Sequence, residues 1–384
     1  MTKPLKQIKV IHVASGDRWA GAEAQVYTLL KTLNKMANVT VYAVILNDGE
    51  LSKKLGDEGI NTTILDETYL SSWKILGRLR SLFQEIQPDI IHTHRLKENV
   101  LASVANKLST NAILVATIHG DSEFNYPIWK IHKRAPQWIN WFFTRFLYKQ
   151  LIAVSKDLGE KLTNSYPKKY IQIIENGIDI EAVQLAADSS HFEKDAEKRH
   201  HIGIAGRLEQ VKRVDIFLDM ARLLISSSPE NEWCFHIFGD GSLENQLKDQ
   251  ARSTGITAHV SFHGHREDIA SCLQAMDCLV MCSDHEGLPM APLEALALKT
   301  PVVAHKTGGL IDILNDSTVD LLVSDHCPEG YAVAVSKLFS SSVAVEQLLE
   351  RRYKKITLDF TAQSNALRCN DLYKNLMGDS CYPL

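Results

Sequence analysis

The segment CSDHEGLPMAPLEALALKTPVVA (282–304) carries two carboxylates, Glu286 and Glu294, on either side of two prolines. Because proline is tolerated in the first turn of a helix but not in its interior, a helix is predicted to begin between Pro289 and Pro292. Glu286 then lies in the loop before the helix, and Glu294 lies in its first turn. Carboxylates accept hydrogen bonds from sugar hydroxyls and free N–H groups at a helix start favour phosphate, so the segment suits a nucleotide sugar. The alternative is that both glutamates only complement the helix dipole.

A second segment, AGRLEQVKRVDIFLDMARLL (205–224), carries two cations. Arg207 is predicted at the end of a strand and Lys212 at the entry to a helix. The apolar positions of this helix are spaced for one buried face: Val214, Phe217, Leu218 and Leu224. Two converging cations can neutralise a diphosphate, and the chain has no DxD motif, so we expect no metal and no other cofactor. The alternative is that both are solvated surface charges.

Two further regions could meet an acceptor. In HTHRLKEN (92–99), Arg95 and Lys97 follow a predicted strand end, where they could bind an anionic group or be surface charges. The segment 124–150 holds nine aromatic residues and five Lys or Arg, with no Asp or Glu. This composition is typical of interfacial membrane segments, and the alternative is a helix that packs its aromatics into the domain.

The elements that must position these residues are short Val- and Ile-rich runs that alternate with helical segments, which indicates parallel βαβ units. In the first half the runs are 8–15, 39–46, 89–94, 113–120, 151–155 and 171–177. After a polar stretch at 188–201 they are 202–207, 234–241, 259–265, 278–284 and 301–309. We therefore predict two doubly wound α/β domains that face each other across a cleft, rather than one large sheet.

Composition narrows the class of protein. A chain of 384 residues with 45% hydrophobic and 23% charged residues is expected to form two globular domains, and a net charge of -4 argues against a nucleic-acid partner. The seven cysteines have no CxxC spacing, which predicts reduced thiols and no structural zinc. Neither a secretion signal nor a spanning apolar run is found, so we expect a cytoplasmic protein, with contact at the inner face of the membrane left open.

Over nearly its full length the chain resembles the retaining nucleotide-sugar glycosyltransferases of the GT-B fold, family 4 (group 1). The resemblance is carried by HEGLPMAPLEAL, the GR-x4-K element from Arg207 to Lys212, and five shorter motifs. These are AGAE at 20–23, IHG at 118–120, ENGID at 175–179, FGDG at 238–241 and TGG at 307–309.

The resemblance implies a role for each matching residue. Glu286 would contact the donor sugar together with the backbone of Gly287 and Leu288, and Glu294 would bind the ribose. Arg207 and Lys212 would stabilise the departing diphosphate, and Gly239 of FGDG would join the donor-binding residues. Gly21 would let the backbone approach the donor phosphate, and His119 would lie near the reacting anomeric carbon.

The resemblance also implies the domain plan and the reaction. Residues 1–185 would form an acceptor-side domain completed by a C-terminal helix (362–384), and residues 186–361 would bind the donor. The implied reaction transfers a sugar, with retention, from a nucleotide-diphosphate sugar to a sugar or lipid-linked acceptor hydroxyl in polysaccharide or glycolipid synthesis. A UDP-sugar is the first expectation and GDP-mannose the second.

Departures and alternatives accompany this interpretation. Ala20 stands where a glycine is usual, and Asp312 stands where a glutamate is usual. An inert nucleotide-sugar-binding scaffold, or an epimerase or phosphorylase of the same architecture, stays open as an alternative. A dehydrogenase is disfavoured, because no GxGxxG follows the first strand.

Overall fold

The computed structural model of the chain describes residues 7–17, 19–120, 131–194, 200–228, 232–315, 321–340 and 342–378. These residues fall into two units. Unit 1 contains the described residues up to Gly177 and those from Ala362 onward, and unit 2 is Ile178–Thr361.

The described part of unit 1 contains a seven-stranded parallel sheet in the order β3-β2-β1-β4-β5-β6-β7. Its strands are β1 (Ile8–Ala14), β2 (Val39–Ile45), β3 (Asn61–Ile64), β4 (Ile90–Thr93), β5 (Ile113–Ile118), β6 (Gln150–Ala153) and β7 (Ile171–Ile173). Its helices are α1 (Gly21–Asn34), α2 (Glu50–Asp57), α3 (Ser72–Ile86), α4 (Leu96–Lys107), α5 (Ile131–Leu147), α6 (Lys156–Leu162) and α15 (Ala362–Leu376).

The described part of unit 2 contains a six-stranded parallel sheet in the order β10-β9-β8-β11-β12-β13. Its strands are β8 (His200–Ala205), β9 (Trp233–Phe238), β10 (Val260–Gly264), β11 (Cys278–Met281), β12 (Val302–His305) and β13 (Leu322–Val323). Its helices are α7 (Ile180–Asp188), α8 (Val214–Ser227), α9 (Glu244–Ser253), α10 (Ile269–Ala275), α11 (Met290–Ala297), α12 (Gly309–Leu314), α13 (Pro328–Ser340) and α14 (Ser342–Asp359).

All of the predicted apolar runs form strands, and two further strands, β3 and β13, were not predicted from the sequence. The sequence of β3 is NTTI, which has only one apolar residue because the strand lies at the edge of its sheet. The β13 strand is only two residues long. Edge position and shortness therefore removed the hydrophobic signal on which strand prediction depends.

Both sheets reverse their strand order at a switch point, between β1 and β4 in unit 1 and between β8 and β11 in unit 2. Ligands of doubly wound sheets bind beyond the carboxyl ends of the strands at such points. Gly206 and Arg207 follow β8, the loop that holds Glu286 follows β11, and His94 follows β4. The topology therefore brings the candidate residues of each unit to the switch point of that unit.

The predicted domain boundary at 185/186 is wrong, because α7 packs against α10 and α11 and belongs to unit 2. The polar stretch on which the prediction depended begins only after this helix. At the observed boundary, Ile178 donates its backbone N–H to the carbonyl of Phe360 (2.9 Å) and pairs with Thr361. The two points at which the chain passes between the units therefore lie side by side.

The C-terminal helix α15 packs against α1 within unit 1. Gln25 donates a hydrogen bond to Asn365 (3.0 Å), and Cys369, Leu372 and Tyr373 are buried in the hydrophobic core of this unit. Residues at the end of the chain therefore complete a core that the first 177 residues begin.

The cysteines and the helices bear on two further expectations. None of the six cysteines among the described residues forms a disulfide bond, and Cys381 lies outside them. In the described parts of the chain, no single helix combines the length and apolar character needed to cross a membrane. One bent pair, Pro328–Ser340 with Val345–Asp359, could do so by length and composition alone.

Candidate active site

The loop after β8 is shaped by close backbone contacts that require glycine. Gly206 has φ +150° and Gly239 has φ +132°, and a Cβ on Gly239 would lie 2.0 Å from the carbonyl oxygen of Gly206. Leu208 donates its N–H to the backbone carbonyl of Asp240 (2.7 Å), which holds the two loops together. The shape of the loop after β8 therefore depends on Gly239.

Arg207 and Lys212 differ in their surroundings. Arg207 is exposed, and its guanidinium has no hydrogen-bond or ion-pair partner among the described residues. Lys212 lies in a short 3-10 turn (Gln210–Lys212) and not yet in α8, which begins at Val214. Its side chain runs past Gly206, where Cε would lie 3.4 Å from an added Cβ. The predicted buried face of α8 is confirmed by burial of all four of its apolar positions.

Glu286 is the partner of Lys212. Lys212 Nζ lies 2.5 Å from Glu286 Oε1, and Ser283 Oγ donates to the same oxygen (2.6 Å). Glu286 Oε2 has no partner among the described residues. A cation from the β8 loop and a carboxylate from the β11 loop therefore meet at the switch point, beside a pocket of about 230 Å³ that Gly206, Lys212 and Ser283 help to line.

The loop of Glu286 is packed against a double glycine, Gly308 and Gly309. Gly308 has φ +52°, and a Cβ there would lie 1.8 Å from the carbonyl oxygen of Glu286. Gly309 donates its N–H to the carbonyl of Gly287 (2.8 Å), and a Cβ on it would lie 2.2 Å from that oxygen. The TGG motif therefore fixes the position of Glu286 and Gly287, a role that the sequence motif did not show.

The start of α11 was predicted correctly, but the helical turn in which Glu294 lies was not. Pro289 caps α11, which begins at Met290, and Leu288 is buried just before it. Because the helix begins at Met290, Glu294 is its fifth residue and lies in the second turn rather than the first. Glu294 is half-buried without a partner among the described residues, and burial raises its pKa to about 7.

Behind the Glu286 loop lies an ionic network that was not predicted from the sequence. Arg213 donates to both carboxylate oxygens of Asp215 and to Asp284 (3.1 Å), and His326 lies 3.7 Å from Asp284. Asp284 also donates its N–H to the carbonyl of Val211 (2.9 Å). The network ties the loop of Glu286 to the turn that carries Lys212. Its members come from distant segments, so no sequence spacing signals it.

In unit 1, Gly21 is the first residue of α1. Glu23 in the first turn is buried and forms an ion pair with Arg95, and burial raises the pKa of Glu23 although Arg95 opposes the change. Lys97 pairs with Glu67 (2.8 Å) at the surface. Neither predicted acceptor-side cation is therefore unpaired, and a role for them in acceptor binding stays a prediction.

His119 directly follows β5 and is half-buried. Its Nε2 lies 3.2 Å from His94 Nδ1, and its Nδ1 is buried without a partner. Burial, assisted by the charge of Arg95, lowers the pKa of His119 to about 4. Together with Glu23, Arg95 and His94, it lines a pocket of about 180 Å³. The ring at the predicted position is thus neutral at physiological pH and has one nitrogen available.

Three buried histidines, His12, His92 and His94, offer ligand atoms within 4.8 Å of one another, as a metal site would. Each of their six ring nitrogens already has a protein partner. Hydrogen bonding between neutral rings therefore accounts for the arrangement. Sequence reasoning missed this cluster, although His92 and His94 have the period-two spacing that places both on one face of a strand.

The aromatic segment was predicted either to bind membrane or to pack its rings inside. Its residues 124–130 lie outside the described part of the chain. In α5, Trp138 and Phe146 are 65% and 62% exposed and Phe142 and Ile139 are also exposed, while Asn140 and Thr144 are buried on the opposite face. The side chains of α5 therefore divide into an exposed aromatic stripe and a buried polar one.

Two family models match the chain, one in each half of the sequence. The model described as Glycosyltransferase Family 4 matches residues 19–182, and the model described as Glycosyl transferases group 1 matches residues 199–341.

The chain is 24% identical to UDP-Gal:alpha-D-GlcNAc-diphosphoundecaprenol alpha-1,3-galactosyltransferase of Escherichia coli, over 97% of this chain and 98% of that protein. It is 23% identical to the lipopolysaccharide core mannosyltransferase LpcC of Rhizobium leguminosarum, over 62% of this chain and 68% of that protein. The crystal structure of HepE of Anabaena with UDP-glucose has a TM-score of 0.80 at 16% identity, over 96% of this chain and 100% of the other. The chain therefore belongs to the family 4, group 1 glycosyltransferases, enzymes of the GT-B fold with two Rossmann-like units.

Proposed function

We propose that this glycosyltransferase transfers a sugar, with retention at the anomeric carbon, from a UDP-sugar to a hydroxyl of a sugar or lipid-linked acceptor. The observation that carries the proposal is the contact between Lys212 Nζ and Glu286 Oε1 (2.5 Å). Arg207, on the same loop after β8, is exposed and has no guanidinium partner among the described residues. One carboxylate oxygen remains for sugar hydroxyls, and two cations remain for a diphosphate.

The proposed chemistry follows from these charges. The bond between the anomeric carbon and the diphosphate oxygen breaks, and Arg207 and Lys212 stabilise the negative charge that develops on the leaving group. The acceptor oxygen bonds to the same face of the anomeric carbon, and its proton passes to the departing phosphate oxygen. Glu286 positions the sugar through Oε2, and its pairing with Lys212 keeps the ammonium group beside the bound sugar and its diphosphate.

The proposed donor nucleotide is UDP. The E. coli relative is named for transfer from UDP-Gal, and HepE was crystallised with UDP, UDP and glucose, and UDP-glucose. In this chain, Glu294 supplies a half-buried, unpartnered carboxylate that could accept from ribose hydroxyls. A thermal-shift panel of UDP, GDP, ADP and their sugars tests the choice, since a ligand bound only by the native state raises Tm. A larger shift with GDP than with UDP would contradict it.

We further propose that transfer needs no metal ion, because Arg207 and Lys212 supply two positive charges to the leaving diphosphate. Initial rates are expected to be the same in EDTA and in added Mn²⁺ or Mg²⁺. Loss of turnover in EDTA that added metal restores would overturn this part of the proposal.

The acceptor is proposed to be lipid-linked and held at a membrane, since the name of the E. coli relative gives a GlcNAc-diphosphoundecaprenol acceptor for that enzyme. The exposed stripe of α5, with Trp138, Phe142 and Phe146, is suited to insert between lipid headgroups, and Arg145 and Lys149 flank it. In flotation with vesicles of phosphatidylglycerol and phosphatidylcholine, the protein is expected to bind at low salt. The F142E/F146E variant is expected to lose binding.

A matched control is available for the flotation assay. Trp73 on α3 is 82% exposed and lies outside the aromatic segment, so Trp73→Ala is expected to leave flotation unchanged. Equal loss in both variants, or no binding of the parent protein at low salt, would contradict the membrane proposal.

The reaction itself is tested by following UDP release with candidate acceptors. Glu286→Gln and Lys212→Ala are expected to abolish most turnover. Binding of UDP-sugar without any turnover would favour the inert scaffold, and conversion of the donor without consumption of an acceptor would favour an epimerase.

A further inference from the structure

Four histidines and a tyrosine on one face of the unit 1 sheet form a continuous hydrogen-bonded chain that ends at His119. The contacts run Tyr373 OH to His12 Nε2 (3.4 Å), His12 Nδ1 to His94 Nε2 (3.1 Å) and His94 Nδ1 to His119 Nε2 (3.2 Å). A branch runs from Tyr373 OH to His92 Nδ1 (2.7 Å) and from His92 Nε2 to Thr117 Oγ1 (2.7 Å). We name these six side chains the histidine chain.

The sheet and the C-terminal helix build this chain from distant segments. His12 of β1 is the register partner of His92 of β4, and His94 lies two residues further along the same face. Thr117 and His119 have the same spacing of two at the end of β5. Helix α15 then brings Tyr373 onto this face, where it is buried.

Each ring of the chain carries one N–H. Burial lowers the pKa of His12, His92 and His94 well below the usual value and lowers that of His119 to about 4, so all four rings are neutral at pH 7. A neutral imidazole has one donor nitrogen and one acceptor nitrogen. The direction of one hydrogen bond therefore fixes the direction of the next.

Two arrangements satisfy every contact and use the Tyr373 O–H as a donor, whereas a third, in which Tyr373 OH accepts from both His92 and His12, leaves that O–H without an acceptor in the chain. In the first, hydrogen bonds are donated from Thr117 through His92, Tyr373, His12 and His94, and His119 carries its proton on Nδ1. In the second, every bond is reversed, and Nδ1 of His119 is an acceptor. The hydroxyls of Thr117 and Tyr373 can donate or accept, so in both arrangements every ring nitrogen of the chain is paired except Nδ1 of His119.

We propose that Tyr373, His12 and His94 act through this chain as positioning residues that set the tautomer of His119, so that its Nδ1 donates to or accepts from a substrate oxygen. Nδ1 of His119 is the one end of the described chain without a protein partner, and His119 lines the unit 1 pocket with Glu23 and Arg95. The identity of that oxygen as one of the transferred sugar or its acceptor rests on the proposed function. Arg95, paired with Glu23 and 3.9 Å from Asp17, disfavours a charged ring, so the neutral tautomers remain the two states.

Tyr373→Phe cuts the chain with the smallest change in shape. It leaves His12 Nε2 and His92 Nδ1 without a partner, and an unpaired buried N–H is less tolerable than an unpaired acceptor. His12 is therefore expected to keep its proton on Nδ1, which shifts His12, His94 and His119 toward the first arrangement. In the free protein with ¹⁵N-labelled histidine, the fraction of His119 protonated on Nδ1 is expected to rise, with His119 signals assigned through His119→Gln.

The matched control is Tyr148→Phe. Tyr148 is a buried tyrosine of the same unit whose hydroxyl contacts Thr93 (3.1 Å) and Asn99, away from the histidine chain. Its removal is expected to leave the His119 signals unchanged. No change in Tyr373→Phe, a shift toward protonated Nε2, or an equal shift in Tyr148→Phe would overturn the proposal.

A kinetic readout separates this inference from the proposed function. With a competent donor and acceptor, Tyr373→Phe is expected to lower kcat about tenfold with the donor KM unchanged, and Tyr148→Phe is expected to leave both unchanged. If the tautomer responds but no sugar is transferred, the proposed function fails and the histidine chain stands. If transfer occurs and the tautomer does not respond, the histidine chain fails alone.

A second variant guards against loss of folding. His12→Asn keeps a polar partner near His94 Nε2 but is too short to reach Tyr373. If Tyr373→Phe proves too unstable for spectroscopy, His12→Asn is expected to change the tautomer ratio of His119. An unchanged ratio in this folded variant would count against the proposal in the same way.

Discussion

The two units have the same strand order around their switch points, but they place different chemistry there. In unit 2 the switch point carries charged groups on loops, with Lys212 bound to Glu286 and Arg207 unpaired among the described residues. In unit 1 it carries neutral histidines, with His12 and His92 inside strands and His94 and His119 just after them. Burial of an ionised group is costly unless it is paired, as buried Glu23 is with Arg95, whereas neutral imidazoles can be stacked inside a sheet.

Unit 2 has its own row of histidines, and it shows that such a row is not in itself a site. His201, His236 and His263 contact one another at 2.9 and 3.0 Å across β8, β9 and β10. This row ends on the edge strand β10, whereas Glu286 follows β11 on the other side of β8. The row in unit 1 differs in where it ends, because its last ring, His119, lines a pocket together with Glu23 and Arg95.

The largest expected effect tests the charged switch point. Lys212→Ala removes the cation that would face the leaving group, and we expect kcat to fall about 10³-fold, as for other groups that stabilise developing charge. The side chain is half-buried at the surface of its unit, so Tm is expected to change little. The measurement is the initial rate of UDP release.

Lys248→Ala is the control for this prediction. Lys248 pairs with Glu244 at 2.6 Å on the surface of α9 in the same unit, and such pairs contribute only about 0.5 kcal/mol. Its removal is expected to leave the rate unchanged. A loss of rate below tenfold in Lys212→Ala would mean that the contact with Glu286 is structural.

The second effect tests the packing of the loop that carries Glu286. Gly308→Ala would place a Cβ 1.8 Å from the carbonyl oxygen of Glu286 at φ +52°. We expect a loss of about 3 kcal/mol or more in the free energy of unfolding, together with loss of UDP binding. Gly255→Ala shares a positive φ (+73°) but meets no atom within 4 Å, so it is expected to cost only about 1 kcal/mol. Equal costs in urea titrations would show that backbone strain alone, and not the contact with Glu286, makes glycine necessary.

Much of the unit 2 site follows from sequence, because it is local. Proline spacing predicted the start of α11 and the loop position of Glu286, and apolar spacing predicted the buried face of α8. The predicted position of Glu294 along α11 was wrong by one turn. The two prolines allow several starting residues for the helix, and it begins at the earliest of them, directly after Pro289.

The unit 1 site is mostly invisible in the sequence, because its contacts are long-range. His12, His94 and Tyr373 meet only through strand register and the return of α15, and no spacing reports either. Resemblance identified His119, but the row of rings behind it has no motif of its own. The domain boundary was missed for a similar reason, since α7 is assigned by packing against α10 and α11 and not by composition.

A third prediction compares the two rows of histidines directly. His236→Asn breaks the contacts with His201 and His263, and we expect a loss of about 1–2 kcal/mol in stability with kcat unchanged. His94→Asn breaks equivalent contacts in unit 1 and is expected to lower kcat as well, because His94 connects His119 to the rest of the histidine chain. Denaturant titration and steady-state kinetics on both variants provide the comparison. Equal kinetic effects would remove the distinction between the two rows.

The smallest expected effect concerns two carboxyl groups, one in each unit, whose pKa burial raises to about 7: Glu294 and Glu98. Each pKa is higher in the folded state than its unperturbed value of 4.5. Between pH 4.5 and 7 the folded protein therefore binds a proton at each group that the unfolded chain has released. The free energy of unfolding falls as pH rises through that window. Glutamine cannot ionise, so Glu294→Gln and Glu98→Gln are both expected to raise Tm relative to the parent at pH 8 and to change it less at pH 4.

Ligand binding separates these two otherwise matched groups. At pH 8 an ionised Glu294 would accept from the ribose, so Glu294→Gln is expected to weaken UDP affinity about tenfold, or about 1.4 kcal/mol. Glu98 is buried on α4 of unit 1, and Glu98→Gln is expected to keep the parent affinity. Calorimetric titration of UDP into the three proteins at pH 8 measures this difference. Equal affinities would show that Glu294, like Glu98, is only a buried carboxyl group. The nucleotide would then have to be bound by Arg207, Lys212 and the glycine-containing loops, without a contact from Glu294.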